Sequence, residues 1–90
     1  MNAPPMNSHR QGLQNLTREE QLIKARWRAH RAFDALWQNG VMDRPTAYRW
    51  LAEQLHLKPN KCHMSAMTFR QCKRTTQLSR RKLLEQRQRQ

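Results

Sequence analysis

Four side chains in the second half of the chain have the chemistry of zinc ligands: His56, Cys62, His63 and Cys72. Structural zinc sites use thiolates and imidazoles, commonly with two cysteines in a C-x2-C pair. The spacing here is H-x5-C-H-x8-C, which contains no such pair, and an adjacent Cys and His seldom bind one ion together. We therefore predict no metal and no cofactor. We interpret both cysteines as small buried apolar residues on either side of a turn.

His30 and Asp34 lie four residues apart, the spacing at which two side chains on one helix face meet. We interpret them as a half-buried ion pair that orients the helix. A catalytic His–Asp pair would also need a nucleophile within reach, and the sequence indicates none. Paired carboxylates and a phosphate-binding loop are likewise not recognisable. We therefore predict that the chain is not an enzyme.

Positive charge is the strongest signal in the composition. Eighteen Lys and Arg against six Asp and Glu give a net charge of +12 and a pI near 11.5. Residues 61–90 hold nine of the cations and one of the acids, which gives 9 − 1 = +8. Such a field attracts polyanions and speeds encounter with them. Charge therefore favours nucleic acid as the partner, and an acidic protein surface and an anionic membrane are the alternatives that charge alone leaves open.

Three helices must position these side chains. Good helix formers fill the middle of the chain, while Val and Ile occur once each, so we predict a small all-α domain. The helices are expected at about residues 17–38, 44–55 and from residue 69 onward. Each begins beside a residue that can cap its first turn: Thr17, Asp43 and Thr68.

Apolar residues recur at about 100° per residue along each helix and define its core face. The predicted core residues are Leu22, Ala29, Phe33, Leu36 and Trp37 of helix one, Ala47, Leu51 and Leu55 of helix two, and Phe69, Cys72, Thr76 and Leu83 of helix three. Ile23 and Trp27 are expected to flank the first of these stripes. On the opposite side of helix one, three cations are either solvated or face a polyanion: Lys24, Arg28 and Arg31.

The composition divides the chain into three parts. Residues 1–15 hold two adjacent Pro and a Gly and are predicted to be a disordered tail. Residues 16–79 form the three-helix domain, and residues 80–90 a basic extension that frays or becomes helical only on a partner. No run of about 18 apolar residues and no signal peptide is recognisable. We expect a cytoplasmic protein that does not associate with membranes and keeps its cysteines reduced.

The second and third helices resemble a helix-turn-helix, although their connection, about residues 57–68, is longer than the usual three or four residues. In that interpretation helix three enters a groove of nucleic acid. Base edges or phosphates are expected to be contacted by Arg70, Lys73, Arg74 and Gln77. The backbone is expected to be contacted by Lys61, Arg80, Arg81 and Lys82.

Residues 23–78 resemble the C-terminal helical part of a phage and prophage family known as a zinc-finger-containing domain. The resemblance is carried by RAHRAFDALWQNGVMDRPTAYRWLAEQLHL and by CHMSAMTFRQCKR. The matching positions are His30, Phe33, Asp34, Leu36, Trp37, Ala47, Tyr48, Trp50, Leu51, Ala52, Cys62, His63 and Cys72. The zinc ribbon that precedes the helices in the family has no counterpart here, so zinc is not carried over. The resemblance implies a phage origin and the bacterial host cytoplasm, and it implies no activity.

Two functions follow as expectations. The first is a phage-encoded accessory protein that binds nucleic acid, DNA rather than RNA, through helix three and the C-terminal extension. The second is a phage-encoded inhibitor that binds a host protein or nucleoprotein complex, such as a defence or transcription complex, through its basic surface.

Overall fold

The computed structural model describes residues 16–89, which form three α-helices and no strand. They are α1 (Arg18–Gln38), α2 (Arg44–Leu55) and α3 (Phe69–Arg89). The longer connection, between α2 and α3, contains two short 3-10 turns, Pro59–Lys61 and Met64–Ala66. The predicted small all-α three-helix fold is confirmed. The expected disorder of residues 1–15 lies outside the described residues.

Local sequence chemistry sets where each helix begins. The Thr17 hydroxyl accepts from the Glu20 N–H at 3.1 Å, while the Thr17 N–H donates to the Glu20 carboxylate at 2.9 Å. Thr68 and Gln71 repeat this reciprocal capping box at the start of α3, at 3.1 and 2.9 Å. Asp43 accepts from the Thr46 N–H at 2.9 Å at the start of α2. Orphan N–H groups in the first turns are therefore satisfied within a few residues of each cap.

The core lies between α1 and α3, which make the most extensive contact between elements. Ala25 and Ala29 of α1 are buried, as are the small α3 residues Cys72, Thr75, Thr76 and Ser79. Small side chains on both helices allow the two backbones to approach closely. Phe33 packs edge-on against the Tyr48 ring, with centroids 4.8 Å apart, and this contact fixes α2 to α1.

The connection from α2 to α3 contributes to the core instead of forming an outer loop. Cys62, Met64 and Met67 are buried in it. The Arg26 guanidinium of α1 donates two hydrogen bonds, at 3.1 and 3.0 Å, to the Met67 carbonyl oxygen. The connection is thereby held against α1. Because α3 packs mainly on α1, the arrangement differs from a compact helix-turn-helix, in which the second and third helices pack on each other through a short turn.

Two expectations about α3 were wrong in part. The helix continues to Arg89, so residues 80–89 are helical without a partner and do not fray as expected. The segment consists of good helix formers, and Leu83 packs against the core. Phe69, assigned to the core, is 47% exposed at the first turn of α3, where the Lys73 ammonium lies 5.8 Å from its ring centroid. Met67 of the connection is buried instead, with its sulfur 3.4 Å from the Thr75 hydroxyl of α3.

The flanking positions on α1 also differ from expectation. Trp27 is 66% exposed and Ile23 is 48% exposed. The buried positions of this helix are Ala25, Ala29, Phe33 and Leu36, while Leu22 and Trp37 are half-buried. The buried face is therefore narrower than the apolar pattern suggests, because the small α3 residues cover only its centre. Within residues 16–89, no helix has the length and apolar character needed to cross a bilayer.

Candidate nucleic-acid interface

Some arginines are engaged in holding the fold. Arg26 binds the Met67 carbonyl, as described above. The Arg44 guanidinium lies 5.6 Å from the Trp37 ring centroid and 5.9 Å from that of Tyr48, within cation–π range. Arg49 donates to the Thr46 hydroxyl at 3.2 Å. These contacts all involve α2 or the connection, where Lys58 and Lys61 remain exposed.

The cations on the outer sides of α1 and α3 are exposed, and among residues 16–89 none of them forms an ion pair. Within residues 16–89 the only carboxylate within 4 Å of a basic side-chain nitrogen is that of Asp34, whose Oδ2 lies 3.2 Å from His30 Nδ1. These exposed cations include Lys24, Arg28, Arg31, Arg70, Lys73, Arg74, Arg80 and Arg81. An unpaired exposed cation keeps its charge and its hydrogen-bond donors for an external anion.

Three adjoining grooves follow these cations across the molecule. The largest, about 710 Å³, lies between α1 and α3 and is lined by Lys24, Trp27, Arg28, Arg31, Ala32, Ala35, Arg80 and Leu83. It shares Arg28 and Arg80 with a groove of about 190 Å³. That groove shares Lys73 and Gln77 with a third, of about 340 Å³, along α3. No acidic residue lines any of the three. We call this surface the basic face and define it by its polar lining residues: Lys24, Arg28, Arg31, Arg70, Lys73, Arg74, Gln77 and Arg80.

The structure places most of the predicted contact residues together. All four residues predicted at base edges or phosphates, and Arg80, lie on the basic face. Arg81 is exposed four residues beyond Gln77, on the same side of α3. Lys61 is exposed on a 3-10 turn and lines none of the three grooves. Lys82 is half-buried and lies nine residues from Lys73, about half a turn around the helix, so it points to another side.

The α1 side of the basic face was missing from the predicted site. Lys24, Trp27, Arg28 and Arg31 follow one another at i, i+3, i+4 and i+7, which places them on one helix face. This spacing was visible in the sequence. What the sequence could not show is that α3 packs beside that face and adds Arg80 to it.

His30 and Asp34 form a local cluster with Trp37 on α1. The carboxylate of Asp34 contacts His30 through one oxygen at 3.2 Å and accepts from the Trp37 indole N–H through the other at 3.1 Å. Both partners lie within four residues on α1. These contacts link successive turns of α1 on its half-buried side. Their interpretation as a pair that orients the helix stays a prediction.

Comparison with known proteins identifies the family. A family model described as a zinc-finger-containing domain matches residues 7–82. The chain belongs to this family. The match extends on both sides of residues 23–78, on which the resemblance in the sequence was based. No curated protein and no solved structure matches the chain.

The described residues of this zinc-finger-containing domain do not fit a zinc ion. Within residues 16–89, no three His, Cys, Asp or Glu side chains are grouped so as to hold a metal. Cys62 and Cys72 are fully buried free thiols, and burial raises the pKa of both in the metal-free chain. His56 caps α2 in the left-handed conformation with φ +57°, and the His63 Nε2 lies 2.9 Å from the Asn60 carbonyl oxygen.

Proposed function

We propose that this protein binds nucleic acid, DNA in preference to RNA, through the basic face. The observation that carries the proposal is the row of exposed cations on α1 and α3 that have no acidic partner within the described residues. Cations of this kind neutralise phosphates and release counterions, which is the main source of affinity in sequence-independent binding.

The dimensions of α3 suit a phosphate backbone. From Arg70 to Arg81 the helix rises about 16 Å, at about 1.5 Å per residue. Phosphates of one B-form strand recur at about 3.4 Å along the axis, so α3 can span roughly five of them. The wide major groove of B-DNA admits a helix, whereas the deep, narrow major groove of A-form RNA does not. This difference supports DNA as the preferred duplex.

The remaining expectations belong to the same proposal. We infer that the chain corresponds to the helical part of its family without the zinc ribbon, because the resemblance rests on residues 23–78 and the described Cys and His do not fit zinc. A phage-encoded binding protein without enzymatic activity, acting in the bacterial cytoplasm, is the biological setting that this resemblance supports.

Equilibrium binding tests the proposal directly. A labelled DNA duplex is titrated with the full chain, and fluorescence anisotropy is followed at 50 and 200 mM salt. Six or more phosphate contacts should weaken binding by about three powers of ten between the two conditions. Absence of binding at 50 mM, or affinity independent of salt, would show that the basic face does not serve this purpose.

A second function has one observation in its favour. Beside the basic face lies a mostly apolar groove of about 350 Å³, lined by Ile23, Arg26, Trp27, His30, Met64 and Ser65. An exposed apolar groove next to a cationic surface also suits a protein partner, as expected of an inhibitor of a host complex. Capture of a specific host protein from nuclease-treated lysate, weakened by replacing either Ile23 or Arg74, would support this function over the first.

A further inference from the structure

Trp27 is a large aromatic side chain for which the fold has no evident need. It lies on α1 on the side away from the buried residues Ala29 and Phe33 and remains 66% exposed. The other two tryptophans, Trp37 and Trp50, are half-buried, and Trp37 donates its indole N–H to Asp34. Within residues 16–89, the Trp27 side chain makes no hydrogen bond, no aromatic ring contact and no cation–π contact. Its role must therefore be sought outside the core.

The surroundings of Trp27 are those of a ligand site for an anion with a flat apolar part. The indole lines the 710 Å³ groove between α1 and α3, a volume within the usual range for small-ligand sites. Lys24 and Arg28 lie within one helical turn on either side of it, and Arg80 reaches the groove from α3. Three apolar side chains complete the lining: Ala32, Ala35 and Leu83.

We propose that this groove binds an unpaired nucleotide, whose base stacks on Trp27 while its flanking phosphates contact Lys24, Arg28, Arg31 and Arg80. An aromatic side chain stacks readily on a base that has left the helix, because the faces of paired bases are already covered by their neighbours. The site rests on the proposed function and deepens it, since it adds single-stranded DNA to the polyanions that the basic face holds. An acidic protein segment is the alternative occupant.

Two DNA probes of equal length separate stacking from phosphate binding. One is a single strand of about twelve thymidines, within the site sizes of single-strand binding proteins, and the other is a blunt duplex of the same length. Binding of both to the full chain is measured by anisotropy at low salt for the wild type, Trp27→Ala, Trp27→Phe and Ile23→Ala. Ile23 is the matched control, because it is an exposed apolar residue on the same helix that does not line the basic groove.

Trp27→Ala should weaken binding of the single strand about 5- to 150-fold, the measured range for loss of one base–aromatic stack. Binding of the blunt duplex should change less than about twofold. Trp27→Phe should recover most of the single-strand affinity, and Ile23→Ala should leave it unchanged. Single strand bound to the wild type should also quench tryptophan fluorescence, and the quenching should be absent in Trp27→Phe because the two remaining indoles are half-buried.

The outcomes separate failure of this inference from failure of the proposed function. Wild-type protein that binds neither probe refutes both. Suppose that the wild type binds both probes. If Trp27→Ala then binds the single strand as tightly as the wild type does, or loses equal affinity for both probes, only the stacking site is refuted. Loss of binding to an acidic peptide in Trp27→Ala, with DNA binding intact, would assign the groove to a protein segment. Since Trp27 is largely exposed, each variant should keep the wild-type melting temperature within a few degrees, which circular dichroism checks.

Discussion

Removing two cations from α3 should change the salt dependence of DNA binding by a calculable amount. Arg70 and Arg74 lie four residues apart on the basic face, are exposed and have no acidic partner within the described residues. Lys73 between them is left in place because its ammonium covers the Phe69 ring. Replacing both arginines with Ala leaves good helix formers in α3, so the fold should persist.

The magnitude follows from counterion release. Each phosphate contact contributes about 0.9 to the slope of log affinity against log salt, so losing two lowers the slope by about 1.8. A fourfold change in salt, from 50 to 200 mM, then alters the ratio of wild-type to variant affinity by about 12-fold. The variant should be much weaker than the wild type at 50 mM and approach it at 200 mM.

The assay is a titration of duplex DNA by anisotropy at four or more salt concentrations, with a control of equal charge. Arg49→Ala with Lys58→Ala removes the same net charge from exposed positions on α2 and the connection, away from the three basic grooves. The slope of log affinity against log salt should be the same for the control as for the wild type. Equal slopes for wild type, variant and control, or equal reductions in both variants, would refute a localised basic face.

Three further predictions concern the fold. Phe33→Ala should cost about 3–5 kcal/mol of unfolding free energy, because the ring is fully buried against Tyr48; urea denaturation measures it, and a loss below 1 kcal/mol would contradict the core assignment. Hydrogen bonds from the Thr46 hydroxyl and N–H hold the pKa of Asp43 below its usual value, so this cap stabilises α2 above about pH 4 and weakens as pH falls through the folded-state pKa. Asp43→Asn should therefore flatten the acid side of the melting-temperature profile, and an unchanged profile would count against the cap. Native Cys62 and Cys72 should resist iodoacetamide at pH 7 and both react in guanidinium, because both thiols are buried with raised pKa; mass spectrometry counts the adducts, and rapid native labelling would contradict the burial.

The parts of the fold that were predicted are those determined by local chemistry. The side chains of Thr17 and Asp43 cap their helices by accepting from the N–H of the residue three positions later in the chain. Gly40, just after the end of α1, has φ +72°. Such contacts depend on a few consecutive residues, so the pattern alone indicates them. The predicted core faces of α1 and α2 are confirmed near the middle of each helix, where Phe33 and Leu51 are fully buried.

What the sequence could not indicate depends on which surfaces meet. The exposure of Trp27 follows from α3 placing small residues against the opposite side of α1. The last turns of α3, up to Arg89, follow Leu83, which packs against the core. That contact joins residues far apart in the sequence. For the same reason the sequence indicated the cations of each helix separately, and only the structure shows that Arg80 of α3 lines one groove with Lys24, Arg28 and Arg31 of α1.

The most direct test of the basic face is to map the DNA contact on the full chain by amide chemical-shift changes. A short duplex is added to the isotope-labelled protein at low salt, and the shifts are followed residue by residue. The largest changes should fall in residues 24–31 and 70–81, with small changes in α2. Changes concentrated in Arg44–Leu55 or in residues 56–68, with the outer sides of α1 and α3 unaffected, would contradict the account.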